Sequence, residues 1–246
     1  MPRKVAVHFL RAETSSEDFL GRTAIVVDLL RASTTIATAL ANGARDVIPA
    51  GSPERAMELC NAIGRSSALL CGERNGEMIP GFDLGNSPRE YAAQRVGDKR
   101  LIFASSNGSA AILTASDAGR MCVGALVNAR AVIRWAESGK EDCVILCAGK
   151  LGRFAGEDAA CAGHFVLALE QRGFAAANDG ARTAARLASS LRGRWLEFLR
   201  STDHGAYLCA LGFAADFPVV CAVDSLDVLP VWHENRLVAM ARATKG

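Results

Sequence analysis

Short apolar runs recur along the chain and alternate with more polar, periodic segments through residue 172. The runs are rich in β-branched and other apolar residues: TAIVVDL, RDVIPA, SALLCGE, RLIFASS, RMCVGA and DCVILCAG. Because each run is apolar at successive positions, it predicts a strand that is buried on both faces. Such strands are typical of a sheet that helices cover on both sides.

The segments between these runs carry helix start and stop signals. Ser33 is a predicted N-cap of a helix that Gly43 ends, and Ser52 followed by Pro53 opens a second helix. The sequence SPRE at residues 87–90 matches a capping box and predicts a helix over SPREYAAQRV. The alternation of strands and helices predicts an α/β fold with a mostly parallel sheet and a three-layer α/β/α architecture.

The pattern changes after residue 172. Residues 179–212 read as helical, and the segment FPVVCAVDSLDVLPVWHENRLVAM predicts a strand, a loop and a terminal hairpin that turns near residues 233–235. AIVVDLLRASTTIATAL and VILCAGKLGRFAGEDAACAGHFVLAL share a weak similarity. We therefore predict one domain over residues 1–246. The similarity reflects either two similar subdomains that meet near residue 125 or simply the features that any two βα units share.

Composition and charge are those of an ordinary globular protein. Of 246 residues, 50% are hydrophobic and 22% are charged, and the net charge is +2 without any block of like charge. This distribution argues against a nucleic-acid partner. The N-terminal apolar run is too short for a signal peptide and no window reaches the length of a membrane span, so we expect a cytoplasmic protein without a membrane partner. The terminal hairpin is expected to have an exposed edge, which is compatible with a homo-oligomer.

The eight cysteines show no CxxC pair, and the four histidines are far apart in sequence. These spacings exclude the usual zinc signatures. Cys122, Cys143 and Cys147 lie in strand-like apolar runs. We expect most of the cysteines to be reduced and buried as small hydrophobic side chains.

One connection is unusually long and polar. The stretch CGERNGEMIPGFDLGNSPREY occupies residues 71–91 between a predicted strand and a predicted helix. Connections in α/β domains are usually a few residues long, and a long loop more often carries function than merely connects. This loop is therefore a candidate part of a binding site.

Four loops that follow predicted strands are rich in polar residues. The carboxyl ends of parallel strands meet at one rim of the sheet, where ligands of open α/β sheets bind and helix starts favour anions. Carboxylates suit a hard cation, and basic groups suit a phosphate, so the combination indicates phosphoryl chemistry with Mg²⁺. Loop by loop, the residues are Asp28, Arg31, Ser33 and Thr34; Glu73, Arg74, Asn75 and Asp83; Ser105, Ser106, Asn107, Gly108 and Ser109; and Lys150, Arg153, Glu157 and Asp158.

Structural explanations compete for the acidic and hydroxyl members of this set. Asp28 is also compatible with a turn, but an acid between VV and two leucines favours function. Ser33 and Ser87 are well explained as N-caps. Glu157 and Asp158 lie in the first turn of a predicted helix, where acids complement the helix dipole in any case.

The basic residues have structural explanations too. Arg74 and Lys150 are compatible with solvated charges at the rim, and we rank them below Arg31 and Arg153. His204 is either a residue on a helix surface or a general acid that reaches the rim, since its ordinary pKa suits proton transfer near neutrality.

Six ordered segments together resemble one protein family. They are DLLRASTTIATALANGA, CGERNGEMIPGFDLGNSPREY, SSNGSAAI, CAGKLGRFAGEDAACAG, STDHGAYLCALGF and CAVDSLDVLPV, and they extend from about residue 23 to residue 231. In this order they resemble the 2-phosphosulfolactate phosphatase family, ComB. The resemblance implies an α/β fold of its own type and a Mg²⁺-dependent phosphatase that hydrolyses 2-phospho-3-sulfolactate to sulfolactate and phosphate.

The rim residues are assigned roles for such a reaction. The predicted catalytic residues are Asp28, Arg31, Arg153 and His204. The predicted substrate-binding residues are Ser33, Thr34, Arg74, Asn75, Ser106, Asn107, Gly108 and Ser109. The predicted Mg²⁺ ligands are drawn from Asp28, Glu73, Asp83, Glu157 and Asp158.

Two chemical routes remain open at this point. In one, Asp28 attacks phosphorus and forms an aspartyl-phosphate that water hydrolyses. In the other, Mg²⁺ held by acids such as Asp28, Glu73 and Glu157 activates water, while Arg31 and Arg153 neutralise the phosphate oxygens. We favour the second route slightly.

Four other functions compete with this assignment. A haloacid-dehalogenase-like phosphatase requires a second Asp two positions after the first, where this chain has Leu30. Nucleotide-binding motifs are absent from the sequence. A phosphatase for a different small anionic phosphoester and a non-catalytic anion-binding protein remain as alternatives, although clustered carboxylates repel an anion unless a metal intervenes.

Overall fold

The computed structural model describes residues 1–240. Its strands form one 11-stranded sheet. Its strands are β1 Lys4–His8, β2 Thr23–Val27, β3 Asp46–Pro49, β4 Ala68–Arg74, β5 Glu77–Met78, β6 Arg100–Ala104, β7 Arg120–Val123, β8 Cys143–Cys147, β9 Ala175–Ala176, β10 Pro230–His233 and β11 Arg236–Ala239. They lie in the order β5-β4-β6-β3-β11-β10-β7-β2-β8-β1-β9.

Helices flank this sheet, which confirms the predicted three-layer α/β/α fold. They are α1 Ala32–Ala41, α2 Pro53–Ile63, α3 Ala93–Val96, α4 Gly108–Thr114, α5 Ala129–Ser138, α6 Gly156–Glu170, α7 Asp179–Leu191, α8 Trp195–Ser201, α9 Asp203–Ala210 and α10 Phe217–Val220. Short 3₁₀ turns lie at Arg11–Glu13, Ser16–Asp18, Pro88–Glu90, Leu126–Asn128 and Phe213–Asp216.

The sheet consists of two parallel halves joined by an antiparallel hairpin. β4, β6 and β3 pair in parallel on one side, and β7, β2, β8, β1 and β9 pair in parallel on the other. β10 and β11 form the predicted terminal hairpin, and both residues of its turn, Glu234 and Asn235, have positive φ. β10 pairs with β7 and β11 pairs with β3.

The expectation of an exposed hairpin edge was therefore wrong. Both outer edges of the hairpin are hydrogen-bonded to neighbouring strands, so neither edge remains for a second subunit. The oligomeric state and the subdomain boundary near residue 125 stay predictions.

The strand predictions hold because the strands are buried on both faces. All five residues of β2 and all five of β8 are buried, and the two strands pair in parallel with Ile25 opposite Ile145. Six of the eight cysteines are buried and all eight are free thiols, as their apolar surroundings in the sequence predicted. These strands place their carboxyl ends along one rim.

Local signals were right for one helix start and wrong for two. Ser52 caps α2 as predicted, because its Oγ accepts a hydrogen bond from the Arg55 amide. Ser33 lies inside α1, and its Oγ accepts a hydrogen bond from the Asp28 amide instead. Ser87 makes no cap because its hydroxyl donates to Asp216 Oδ1 at 2.6 Å, and only a 3₁₀ turn follows it.

The predicted strand at FPVV was also wrong. Residues Phe217–Val220 form the short helix α10, which has a proline in its first turn. Proline is well placed at a helix start, so the two valines that favoured a strand were overridden. Within residues 1–240, no helix has both the length and the apolar character needed to cross a membrane.

Candidate active site

A cavity of about 340 Å³ opens at the carboxyl ends of the parallel strands. Residues that follow β2, β4, β6 and β8 contribute to its wall, and α9 closes one side. The rim geometry thus brings together loops that are far apart in sequence, as the strand pattern predicted. Residues assigned from the sequence that line it are Asp28, Arg31, Glu73, Asn75, Ser106, Asn107 and His204.

The Asp28 carboxylate points into this cavity directly after β2. Its Oδ1 accepts a long hydrogen bond of 3.3 Å from the Ala32 amide, and its Oδ2 has no hydrogen-bond partner within residues 1–240. Gly108 lies against it, and a Cβ atom at that position would come 2.6 Å from Oδ2. Only glycine therefore permits α4 to begin so close to the carboxylate.

The surroundings of Asp28 disfavour its charge. Burial raises the pKa of Asp28 to about 6. The negative charges of Glu73 and Glu157 act in the same direction, whereas His204 opposes them. A buried carboxylate with a raised pKa in a cleft is typical of a functional site.

The Glu73 carboxylate is fixed by backbone and hydroxyl donors. Its Oε1 accepts from the Ser106 amide at 2.7 Å, and its Oε2 accepts from the Gly76 amide at 2.7 Å and from Ser106 Oγ at 3.2 Å. Asn75 donates its own amide to Ser106 Oγ at 3.3 Å. The end of β4 and the loop after β6 are therefore held together around one carboxylate.

Glu157, which is buried, and His204, which is partly buried, form a pair beside the cavity. Glu157 Oε1 lies 2.9 Å from His204 Nδ1, and the Glu157 side chain is only 2% exposed. Its Oε2 has no hydrogen-bond partner in the described part of the chain. A carboxylate on Nδ1 orients an imidazole ring and leaves Nε2 for proton transfer. His204 borders this cavity and a larger neighbouring one of about 770 Å³, which Glu157 also lines.

Arg31 is buried and its guanidinium is already engaged. Nη1 lies 3.2 Å from Asp216 Oδ2, Nη2 donates to the Gly76 carbonyl at 2.6 Å, and the group stacks 3.9 Å from the centre of the Phe213 ring. Asp216 also accepts from Ser87, so the pair fastens the long loop at two points. Arg31 therefore contributes to the cavity wall while it holds the loop in place.

The long loop of residues 71–91 lies against the cavity with its first half. Its second half returns along β4, where the Gly72 amide donates to the Leu84 carbonyl at 3.0 Å and the Asp83 amide donates to the Leu70 carbonyl at 2.8 Å. Asp83 Oδ2 accepts from the Leu70 amide and pairs with Arg65. Asp83, a predicted metal ligand, consequently lies outside the cavity.

Several predicted binding residues support the backbone and do not line the cavity. The buried hydroxyl of Thr34 donates to the Leu29 carbonyl, and that of Ser109 donates to the Phe103 carbonyl. Ser33 is buried in the same way beneath Asp28. Hydroxyl groups at helix starts often satisfy nearby backbone, so their position in sequence did not distinguish the two uses.

Three charged residues also lie apart from the cavity. Asp158 is buried and its two oxygens accept from the Leu29 and Gly149 amides at 2.8 and 3.0 Å. Burial raises the pKa of Asp158, and the charge of Asp28 adds to the effect. Arg74 is exposed, and Arg153 lines the neighbouring cavity.

Sequence reasoning missed other residues of the wall. Asn86 is buried there, and its Oδ1 has no hydrogen-bond partner in residues 1–240. Asp203 and Tyr207 reach the cavity from α9, and Lys150, which the sequence ranked low, lies beside them. Asn86 lies in the same polar loop as Glu73, so the loop itself was the available signal.

No group of three or more His, Cys, Asp or Glu side chains forms a preassembled metal site among the described residues. Buried side-chain oxygens without a hydrogen-bond partner among these residues are nevertheless found in the walls of the two cavities. Asn86 Oδ1 and Glu157 Oε2 are the buried side-chain polar atoms of residues 1–240 that lack a hydrogen bond, and both belong to the walls of the two cavities. Unsatisfied buried polar atoms in the walls of two adjoining cavities indicate that a ligand binds there.

Comparison with known proteins agrees with this geometry. Residues 9–235 match the family described as 2-phosphosulpholactate phosphatase. A protein from Symbiobacterium thermophilum named "Probable 2-phosphosulfolactate phosphatase" is 38% identical over 92% of this chain and 97% of its own length. A protein of the same name from Carboxydothermus hydrogenoformans is 40% identical over 87% of this chain and 88% of its own length. The family prediction is confirmed: the chain belongs to the 2-phosphosulpholactate phosphatase family, a family of phosphatases.

Proposed function

We propose that this protein hydrolyses the phosphate monoester of 2-phospho-3-sulfolactate to sulfolactate and phosphate, and that it does so with Mg²⁺. The observation that carries the proposal is the Asp28 carboxylate, whose Oδ2 reaches the cavity without a protein partner in a chain of this phosphatase family. Either a nucleophile or a metal ligand requires such a free oxygen.

The residues around the cavity fit a magnesium ion. Mg²⁺ in phosphoryl-transfer sites is held by one or two carboxylates and by the substrate phosphate, with water completing its shell, so it needs no preassembled cluster. Asp28 and Glu73 are the carboxylates that would hold it. The partnerless oxygens of Asn86 in this cavity and of Glu157 in the neighbouring one are further acceptors. When bound, the ion neutralises phosphate oxygens and lowers the pKa of water.

Charge supports the same conclusion. Asp28, Glu73 and Asp203 line the cavity, and the guanidinium of Arg31 is already paired with Asp216. A substrate with phosphate, carboxylate and sulfonate groups would be repelled by such a wall. A divalent cation removes that repulsion, which a protein of net charge +2 cannot do by its overall field.

His204 is positioned to handle the proton of the reaction. Hydrolysis adds the oxygen of water to phosphorus and breaks the bond to the sulfolactate oxygen, which then needs a proton. Because Glu157 fixes Nδ1 of His204, we assign Nε2 to protonate this leaving oxygen and to recover a proton from the attacking water. Glu157 acts in this scheme through His204.

Two routes to phosphorus are compatible with Asp28. Its free Oδ2 would attack phosphorus directly, or Asp28 would hold the cation and water would attack in line. Acid quenching during turnover in ¹⁸O-labelled water distinguishes them. A trapped phosphoenzyme, or label in the Asp28 carboxylate, supports the first route. Absence of any phosphoenzyme throughout a single turnover supports the second, because label in phosphate alone arises by both routes when water attacks phosphorus.

The experiment that tests the function measures phosphate release from a panel of monoesters that includes racemic phosphosulfolactate and phospholactate. Each reaction is run with Mg²⁺ and with EDTA. We expect release from phosphosulfolactate with Mg²⁺ and none with EDTA. Release confined to another ester would retain a phosphatase with a different substrate, and no release from any ester would refute the proposal.

The matched variants are Asp28→Asn and Asp117→Asn. Asp28→Asn should abolish turnover and leave the circular dichroism spectrum unchanged. Asp117 is exposed and precedes β7, so it lies at the amino-terminal ends of the strands, opposite the cavity. Asp117→Asn should therefore retain full activity. Activity near the wild-type level in Asp28→Asn would exclude Asp28 from the reaction.

A further inference from the structure

The ammonium group of Lys150 is the cation of the cavity wall that has no protein anion bound to it. Among the described residues, Lys150 makes no ion pair and no side-chain hydrogen bond, although it lies in the wall of the cavity. Arg31, by contrast, is bound to Asp216 and to the Gly76 carbonyl. A positive charge kept free in a binding cleft is available to a substrate anion.

Contacts from three parts of the chain hold Lys150 in position. Its Nζ lies 3.8 Å from the centre of the Tyr207 ring, and the Tyr207 hydroxyl donates to the Asn75 carbonyl at 2.8 Å. The backbone of Lys150 exchanges two hydrogen bonds of 2.9 Å with Arg153, which closes a tight turn. The next amide along this turn donates to Asn107 Oδ1 at 2.8 Å. The lysine is therefore preorganised by a cation–π contact that leaves its three N–H donors for a ligand.

Lys150 lies where the cavity meets its larger neighbour. Lys150 borders both the first cavity and the neighbouring one, whereas Asp28 borders the first alone. Asp28 is enclosed by the starts of α1 and α4, where it meets Ala32 and Gly108. The Lys150 ammonium group lies instead over the Tyr207 ring of α9. A phosphate held at Asp28 therefore leaves Lys150 facing the remote part of the substrate.

The chemistry of the proposed substrate identifies that remote part. In 2-phospho-3-sulfolactate the phosphate and the carboxylate are attached at the same carbon, and the sulfonate is attached at the next one. The sulfonate is thus the anionic group most distant from phosphorus, and it offers three oxygens to an ammonium group.

We propose that Lys150 is the specificity-determining residue of this site and that its ammonium group binds the substrate sulfonate, with Tyr207 as its positioning residue. The inference rests on the proposed function and deepens it, because it names the group by which the pocket selects a sulfonated phosphoester. It also explains why a lysine at the junction of two cavities is fixed by an aromatic ring and, among the described residues, makes no ion pair.

The test compares two substrates that differ in the sulfonate. The kinetic constants kcat and KM are measured for phosphosulfolactate and for phospholactate with wild type, Lys150→Gln, Lys150→Arg and Lys140→Gln. Lys140 is an exposed lysine that precedes β8. It therefore lies at the amino-terminal ends of the strands, away from the cavity, and provides the matched control.

We expect Lys150→Gln to lower kcat/KM for phosphosulfolactate by about 10- to 100-fold, mostly through KM, since a charged hydrogen bond is lost. The same variant should change kcat/KM for phospholactate by less than about 3-fold, because phospholactate has no sulfonate for Lys150 to bind. Lys150→Arg should restore most of the activity toward phosphosulfolactate, and Lys140→Gln should match wild type with both substrates.

Other results would overturn the inference. An equal loss with both substrates would place Lys150 on the phosphate or the carboxylate. Wild-type discrimination between the substrates in Lys150→Gln would remove Lys150 from specificity altogether. Circular dichroism and the thermal midpoint of each variant exclude a folding defect as the cause of a loss. Absence of phosphate release from either substrate in wild type would refute the proposed function, and this inference with it.

Discussion

The buried ion pair between Arg31 and Asp216 predicts a large loss of stability when one partner is removed. Both side chains are 1% exposed and lie 3.2 Å apart. In Asp216→Ala, Arg31 keeps only the Gly76 carbonyl and the Phe213 ring, and the Ser87 hydroxyl loses its acceptor at 2.6 Å. Breaking a buried pair in this way leaves an uncompensated charge and costs about 3–5 kcal/mol.

This magnitude is large enough to measure in two ways. We expect the free energy of unfolding in urea to fall by about 3–5 kcal/mol. For a chain of this size the thermal midpoint changes by about 2–4 °C per kcal/mol, so the midpoint should fall by about 6–20 °C. Glu58→Ala is the control, because Glu58 and Arg55 form an ion pair in which both side chains are more than half exposed. That variant should lose less than about 1 kcal/mol.

A double variant tests whether the loss in Asp216→Ala comes from leaving the Arg31 charge without its partner. Arg31→Met with Asp216→Leu removes both charges and replaces them with apolar groups, which should recover part of the stability lost in Asp216→Ala. If Asp216→Ala is no less stable than Glu58→Ala, the pair does not hold the loop and the reasoning is refuted.

Three further predictions concern separate features of the molecule. Gly108→Ala should lower kcat at least about 10-fold, since the added Cβ would displace the Asp28 carboxylate and a misplaced catalytic group costs that much or more; an unchanged kcat in steady-state assays would contradict it. Burial lowers the pKa of His164 below its ordinary 6.5, so protonation favours the unfolded chain. The free energy of unfolding should therefore have its full value above pH 6.5 and decrease as the pH falls below 6.5. In urea titrations, His164→Gln should make this decrease smaller. Of the thiols, Cys209 and Cys221 should react first with a thiol reagent, because the other six are buried; rapid reaction of all eight would contradict the packing.

The sequence predicted the parallel strands and the rim because these features depend on local composition. Fully buried strands such as β2 and β8 read as continuous apolar runs, and their short length favours a strand over a buried helix. Once the strands were assigned, the rule that ligands bind at their carboxyl ends brought Asp28, Glu73 and Asn107 together. The structure places all three in one cavity.

What the sequence could not predict depends on pairing between distant segments. The hairpin of β10 and β11 reads as an edge because nothing in its own residues tells that β3 and β7 lie on either side of it. Asp216 lies 185 positions after Arg31, and nothing in the sequence around either residue indicates that the two form an ion pair. The position of Asp83 was likewise decided by the return of the loop along β4.

The long polar loop links stability and the site through a single network. Its Glu73 and Gly76 contribute to the cavity wall, its Gly76 carbonyl and Ser87 hydroxyl bind the Arg31–Asp216 pair, and Arg31 directly precedes α1, whose start lies against Asp28. Because Arg31 is engaged in this way, it is a poor source of free positive charge for a substrate. In the scheme that we propose, the same contacts that order the loop leave the binding of anions to Lys150 and to a cation that the carboxylates would hold, which accounts for a pocket that combines three lining acids with a lysine free of ion pairs to the described residues.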